Sequence, residues 1–423
     1  VTLTVNGQTV KEFKVNMRER YNGVFLTLDK LTLAKGDKLE VRFSNRDADG
    51  LVVADAVQLL NPRAPSAAAV PPPPEPVILV PLPTAVILAD DALSGPAAAR
   101  DADRQSVAAM ADAIMARVLP DGAINNVADA DKVLIIPYFS NFCAIALIQA
   151  RKVTGMEKYR TAAVKWLRWY ADRVQGDGTV HDYKAGKYPG YIDSGDYDSA
   201  DSYPATFAYA LWYYGVQTGD LALARELYPK LQQAMGAALD VRQDDFLTWA
   251  KRSYRIKYLM DNLEVWYGAI ACAKLERQLG TGKFAHYAEW AEKVQGALAS
   301  YWKPEAGFFA FAPGHFDTKR LYPGALANAF AILFYAPSQP GAGALFRRID
   351  ELILAKDDKV LASTLPTRCW LLLAAQKAGN KQWESKLFNS IDGKIRPEKE
   401  RTHAFALMIL YYTGGFNGKY GVF

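Results

Sequence analysis

The chain is expected to be mainly α-helical, an (α/α)6 toroid of six helical hairpins preceded by a small antiparallel β module. Three observations predict this. Strand-like runs are confined to residues 1–61, a Pro- and Ala-rich stretch fills 62–96, and twelve helix-period segments with alternating short and long connections occupy 97–423. A chain of 423 residues also exceeds what one hydrophobic core usually serves, so at least two domains are expected.

The runs VTLTVNG, EFKVNM, VFLTLDKLTL, KLEVRFSN and LVVADAVQLL alternate or cluster β-branched residues, and the turn pairs Asn6-Gly7, Lys35-Gly36 and Asp49-Gly50 lie among them. In 62–96, Pro71 to Pro74 stand in a row and Pro76, Pro81 and Pro83 follow, which favours a semi-rigid polyproline linker. The apolar insert VILVPLPTAVILA should lie against a domain.

Helical segments then begin near 103, 137, 157, 201, 220, 261, 284, 324, 343, 364, 381 and 402. Links such as VTGMEK, QTGD, LGTGK and KAGNK are short glycine turns. Others, GDGTVHDYKAGKYPGYIDSGDY among them, are long. A closed ring of hairpins needs this alternation, with the long loops gathered at one rim.

Composition narrows the function. The formal charge of +5 is small, and Lys and Arg are interspersed with Asp and Glu, which argues against nucleic acid as the main partner. The 23 Tyr, 19 Phe and 9 Trp supply faces for sugar rings as well as core. Cys143, Cys272 and Cys369 lie in apolar helical contexts and read as buried free thiols. The start VTLTVNG reads as that of an excised or processed fragment, and no apolar run is long enough to span a membrane. The four histidines are too dispersed for a metal cluster, and no cofactor is expected.

If the first helix of each pair is outer, the inner helices begin near Pro137, Asp201, Asp261, Gly324, Thr364 and Thr402, and their N-termini meet at the rim. The mouth should then hold Tyr138 and Asn141; Asp193, Asp196, Asp198, Asp201 and Tyr203; Asp261, Glu264 and Trp266; Tyr322 and Asn328; Thr367 and Arg368; Arg401 and His403. Carboxylates, aromatics and a few basic groups in one bowl make a sugar-site composition. Glycoside hydrolysis needs a carboxylic acid to protonate the leaving oxygen and a carboxylate to activate water or attack. Backbone N–H groups hold a first-turn carboxylate ionised, so Asp261 or Asp201 is assigned the base. Asp198, between Tyr197 and Tyr203, or Glu264, beside Trp266, is assigned the acid. Each also has a plainer reading: Asp261-Asn262-Leu263-Glu264 is a capping-box pattern, and Asp201 or Ser202 suits an N-cap.

VNGQTVKEF, YNGVFLTLDKLTLAKGDKLEVRFSN and ADGLVVADAVQLL resemble the golvesin/xanthan-lyase carbohydrate-binding-like domain, whose usual opening strands are partly missing here. DSADSYPATFAYALWYYGVQTGD and MDNLEVWYGAIACAKL, with the twelve-helix rhythm, resemble the bacterial six-hairpin glycosidase superfamily. That resemblance implies cleavage of an extracellular or cell-envelope polysaccharide or oligosaccharide, with Asp198, Asp201, Asp261 and Glu264 at its acidic helix starts. It also implies a secreted or periplasmic setting.

Two other functions fit. A polysaccharide lyase would neutralise a uronate with Arg368, Arg401 or Asn141 and abstract a proton with Tyr188, Tyr191 or His181. A non-catalytic carbohydrate-binding or exopolysaccharide-assembly component would need no catalytic pair.

Overall fold

A computed structural model of the chain describes residues 2–12, 31–42, 101–129, 131–282, 284–335, 341–356, 360–392, 395–396 and 399–416. The chain divides into two compact units, Val1–Pro76 and Val77–Phe423. In the first unit, β1 (Thr2–Val5) pairs antiparallel with both β2 (Gln8–Glu12) and β3 (Leu39–Arg42). The β1–β2 turn is the Asn6-Gly7 pair, both residues with positive φ (53° and 81°), as a tight hairpin of matching twist demands. The remaining strand runs expected in 1–61, and the linker 62–96, lie outside the described residues.

The second unit contains twelve described helices: α1 (Asp101–Met115), α2 (Pro137–Thr154), α3 (Glu157–Asp172), α4 (Ser202–Thr218), α5 (Leu221–Asp240), α6 (Leu259–Leu279), α7 (Phe284–Leu298), α8 (Leu321–Ala325, Leu326–Phe330 and Ala331–Tyr335 in succession), α9 (Gly341–Leu352), α10 (Leu365–Lys377), α11 (Lys381–Ile391) and α12 (Thr402–Tyr412). The even-numbered helices are almost wholly buried, and each packs on the next: α2 on α4, α4 on α6, α6 on α8, α8 on α10, α10 on α12, and α12 back on α2. They form the inner ring, and the odd-numbered helices, buried along one face, form the outer one. Asn126 stitches the ring shut, its Nδ2 donating to Ser140 Oγ at 3.0 Å on α2 and Thr402 Oγ1 at 2.9 Å on α12.

The short links reverse on left-handed glycines: Gly155 (φ 76°), Gly219 (70°), Gly280 (69°) and Gly379 (66°). The long connections follow α1, α3, α5, α7, α9 and α11. Four of them open with one recurring turn that the sequence reading did not separate out. In LPDGA, QGDGT, QDDFL and PEAGF, the amide of the fourth residue donates to the carbonyl of the first: Gly122 to Leu119, Gly178 to Gln175, Phe246 to Gln243, Gly307 to Pro304. That fourth residue has φ of 98°, 85°, 67° and 60° respectively. Phe246 thus occupies a glycine position, at a cost of about 1 kcal/mol, and its carbonyl accepts from the Trp290 indole N–H at 3.3 Å.

Two neighbouring inner helices meet closely where Gly268 of α6 lies against Ala205 of α4, and an added Cβ would lie 2.6 Å from Ala205 Cα. Trp266, Tyr213, Phe142, Phe207 and Phe334 of the inner helices and Trp166 of the outer α3 are all fully buried, and all three cysteines are buried free thiols. No helix among the described residues is long and apolar enough to cross a membrane.

Candidate active site

The N-termini of the inner helices and the long loops share one rim, and three adjacent members, α4, α6 and α2, carry the acidic and phenolic groups. Helix α6 begins after Tyr258, an N-cap with no side-chain cap bond, so Asp261 falls in the first turn and Glu264 one turn on. The capping-box reading is therefore corrected, because Asp261 lies three residues inside the helix.

No hydrogen bond to the Asp261 carboxylate is found among the described residues, and the residue is half-buried. Burial, and then the charges of Asp201, Glu264 and Asp198, push its pKa well above the usual carboxylate range. The first-turn argument for an ionised Asp261 thus loses: weak dipole stabilisation cannot offset desolvation beside three carboxylates. Glu264 is buried at 3% exposure and accepts from Tyr138 Oη at 2.6 Å. Burial raises its pKa well above normal, the Tyr138 hydrogen bond opposes this, and Asp201 adds to it. The Tyr138 ring stacks at 6.3 Å on Tyr203, whose hydroxyl donates to Asp182 at 2.9 Å.

Asp201 is wholly enclosed. Its Oδ1 accepts from Ser202 N at 2.8 Å and from Ser199 Oγ, and its Oδ2 accepts from Thr248 Oγ1 at 2.6 Å. It is the N-cap of α4, and it ties that helix to the loop before α6, where Asn262 holds the backbone of Thr248. Desolvation raises its pKa to about 6 against these hydrogen bonds. Folded Asp201 therefore holds its proton more tightly than the unfolded chain, near 3.9. Stability from this group is greatest below about pH 4 and falls by about 3 kcal/mol as pH rises through 6. Asp201→Asn keeps the cap and can donate to Thr248, so its unfolding free energy in urea is expected to drop less than the wild type's between pH 4.5 and 7. An equal drop in both would remove Asp201 as the cause.

Asp198 is exposed and its carboxylate has no hydrogen-bond partner among the described residues. Its backbone N–H donates to Tyr203 Oη at 3.4 Å, and the Tyr203 ring stacks on Tyr138, which keeps Asp198 beside the same mouth. Tyr322, at the start of α8, is extended (φ −117°, ψ 127°) and 59% exposed.

Several residues expected in the mouth lie within its wall or away from it. Asn141, fully buried, donates to Tyr203 O and Thr206 Oγ1 and accepts from the Trp166 indole, so it is a brace between helices. Trp266 is 1% exposed and packs edge-on to Tyr267 and Tyr335, because at its helical angle it faces the neighbouring helices. Arg368 turns outward to Ser390 O and Oγ on α11. Asn328 pins Phe309 by both backbone groups. Tyr191 accepts from the Trp169 indole at 2.9 Å and donates to Asp121, fastening the hairpin of β4 (Tyr183–Ala185) and β5 (Ile192–Asp193) to α3. Tyr188 sits exposed between those strands. Asp196 pairs with Lys251 at 2.9 Å, and Asp193 with His181 at 2.9 Å. His403 stacks on Phe139 at 4.0 Å and 9°, and burial lowers its pKa to about 3, so it is neutral there.

Tyr254 and Tyr258 were missed in the sequence. Their hydroxyls are 2.9 Å apart, and Tyr258 stacks on Phe311. The i, i+4 tyrosine pair immediately before MDNLEVW was the available signal. Four cations of these loops are paired: Lys184 with Asp182, Lys251 with Asp196, Lys257 with Asp245, Arg320 with Asp317. Among the described residues, no group of His, Cys, Asp and Glu is arranged to hold a metal ion.

No protein-family model matches the chain, and no curated protein does. Solved structures do. A rhamnosidase from Klebsiella oxytoca with rhamnose bound is 14% identical with a TM-score of 0.50, and the match covers 75% of this chain and 65% of that one. A wild-type glycosidase is 10% identical with a TM-score of 0.53, over 74% of this chain and 97% of that one. A GH63 mannosylglycerate hydrolase from Thermus thermophilus in complex with glucose is 13% identical with a TM-score of 0.51, over 72% and 98%. At these identities the likeness establishes the helical toroid fold that the sequence predicts.

Proposed function

We propose that the protein is a glycoside hydrolase acting on an uncharged or amino-sugar oligosaccharide or polysaccharide, with Asp261 as the acid that protonates the leaving oxygen. The observation carrying this reading is the place of Asp261, a half-buried carboxyl in the first turn of α6 with no hydrogen-bond donor among the described residues, whose pKa burial and the charges of Asp201, Glu264 and Asp198 raise well above the usual carboxylate range. Asp198, exposed over the same mouth, is the carboxylate that activates water or attacks the anomeric carbon. Glu264 and Asp201 maintain the field that holds the proton on Asp261.

The names of the structural neighbours, a rhamnosidase and a mannosylglycerate hydrolase among them, agree with sugar-bond hydrolysis. A lyase finds less support, since a uronate would meet the carboxylates of Asp198, Asp261 and Glu264. A secreted or periplasmic setting goes with this reading.

The test is incubation with matched panels of neutral, amino-sugar and uronate glycans. Reducing ends released from the first or second panel alone are expected. Release confined to the uronate panel would sink the substrate assignment.

A further inference from the structure

The mouth carries an aromatic surface that the proton-transfer chemistry leaves unused. Tyr254, 49% exposed, and Tyr322, 59% exposed, stand among the most exposed large hydrophobic side chains described in the helical unit. Both belong to loop segments that enter inner helices, Tyr254 ahead of α6 and Tyr322 in the first turn of α8. Their exposure is held in place. The Tyr254 hydroxyl meets that of Tyr258 at 2.9 Å, with the rings 6.2 Å apart and tilted by 54°. Tyr258 in turn lies at 6.4 Å and 28° on Phe311, whose carbonyl accepts from Leu259 N at 2.8 Å at the first residue of α6. The platform is thus anchored to the helix that presents Asp261. Tyr322 stands in the first turn of α8, the inner helix that packs on α6, so it rises from the same rim beside the start of α6.

We infer that Tyr254, Tyr258 and Tyr322 form a subsite for a second pyranose ring, adjacent to the ring whose bond is cleaved, so that the protein binds a disaccharide or longer glycan better than a single sugar. This rests on the glycosidase reading of the mouth. A pyranose offers a face of C–H groups to a tyrosine ring, and phenol hydroxyls at the ring edges can bond the equatorial hydroxyls. Large, rigid side chains with only two rotatable bonds suit this, because little entropy is lost when they are covered. An uncharged ring also matches a surface beside the carboxylates of Asp198 and Asp261.

The experiment uses Asp261→Asn, which should bind without turnover, on an array of neutral and amino-sugar glycans from mono- to hexasaccharides. Tyr254→Ala and Tyr322→Ala are added singly, and Tyr254→Phe serves as the conservative control. Glycans of two or more units are expected to be retained and to bind about tenfold more weakly with either alanine. Tyr254→Phe should restore most of the binding, and circular dichroism should show all variants folded. Equal binding of monosaccharides and longer glycans, undiminished binding by both alanine variants, or no glycan retained by any protein would each overturn the subsite. The hydrolase reading is judged separately, by turnover in the wild-type protein. Retention that depends on the tyrosines without turnover keeps the subsite and discards the hydrolase, and turnover with unchanged array binding does the reverse.

Discussion

Replacing Asp261 with asparagine is expected to lower kcat by about 10³-fold, within the range that a positioned general acid contributes. The variant is nearly isosteric, and it removes a carboxyl that makes no hydrogen bond among the described residues, so folding should be undisturbed. Because the proton is held by burial and by Asp201, Glu264 and Asp198, wild-type activity should fall as pH rises through the raised Asp261 pKa. The variant should lack that alkaline limb. The sharper comparison uses the leaving group. A glycoside that departs as 2,4-dinitrophenolate needs no proton, so the variant should retain most of the wild-type rate on it while losing the rate on an ordinary oligosaccharide. Equal losses on both would assign Asp261 to binding or folding.

Gly268→Ala is expected to destabilise the helical unit by about 2 kcal/mol or more, the range for overpacking a close-packed core. Helix propensity pulls the other way, since alanine exceeds glycine by about 1 kcal/mol in a helix interior. Packing wins because the new methyl would meet Ala205 Cα and Cβ at 2.6 Å and its carbonyl oxygen at 2.9 Å, and backbone atoms cannot swing aside as a side-chain tip can. Relief requires α4 and α6 to part. Those helices carry Asp201 and Asp261, so activity should fall along with the midpoint of thermal unfolding, measured by circular dichroism. A variant as stable as the wild type would show that the two helices adjust freely, and would weaken any account resting on their fixed spacing.

The toroid was legible because its cause is periodic. Apolar residues recur at helical spacing, and glycines at 155, 219, 280 and 379 mark the short connections after α2, α4, α6 and α10. The start expected near 324 lies at Leu321, because Tyr322 is extended inside a wide first turn, a departure that hydrophobic spacing cannot register. The recurring turn was hidden for a similar reason: Phe246 stands where the other three have glycine, so the motif is shared in backbone but not in letters.

The site was legible as a group and less so in its parts. Spacing correctly put acidic helix starts on one rim. It could not tell that Asp201 would be closed in by Ser199 and Thr248, residues from two different loops, while Asp261, sixty residues on, would have no donor. Asn141, Trp266 and Arg368 were drawn into the mouth by sequence position near a helix start, although each side chain's angle turns it to a neighbouring helix.

The most direct test of the central claim is mass spectrometry of products formed in H₂¹⁸O from the neutral and amino-sugar glycans. Each cleavage is expected to add one labelled water, and the labelled product to vanish with Asp261→Asn. Unsaturated products carrying no label would contradict it and establish elimination in place of hydrolysis.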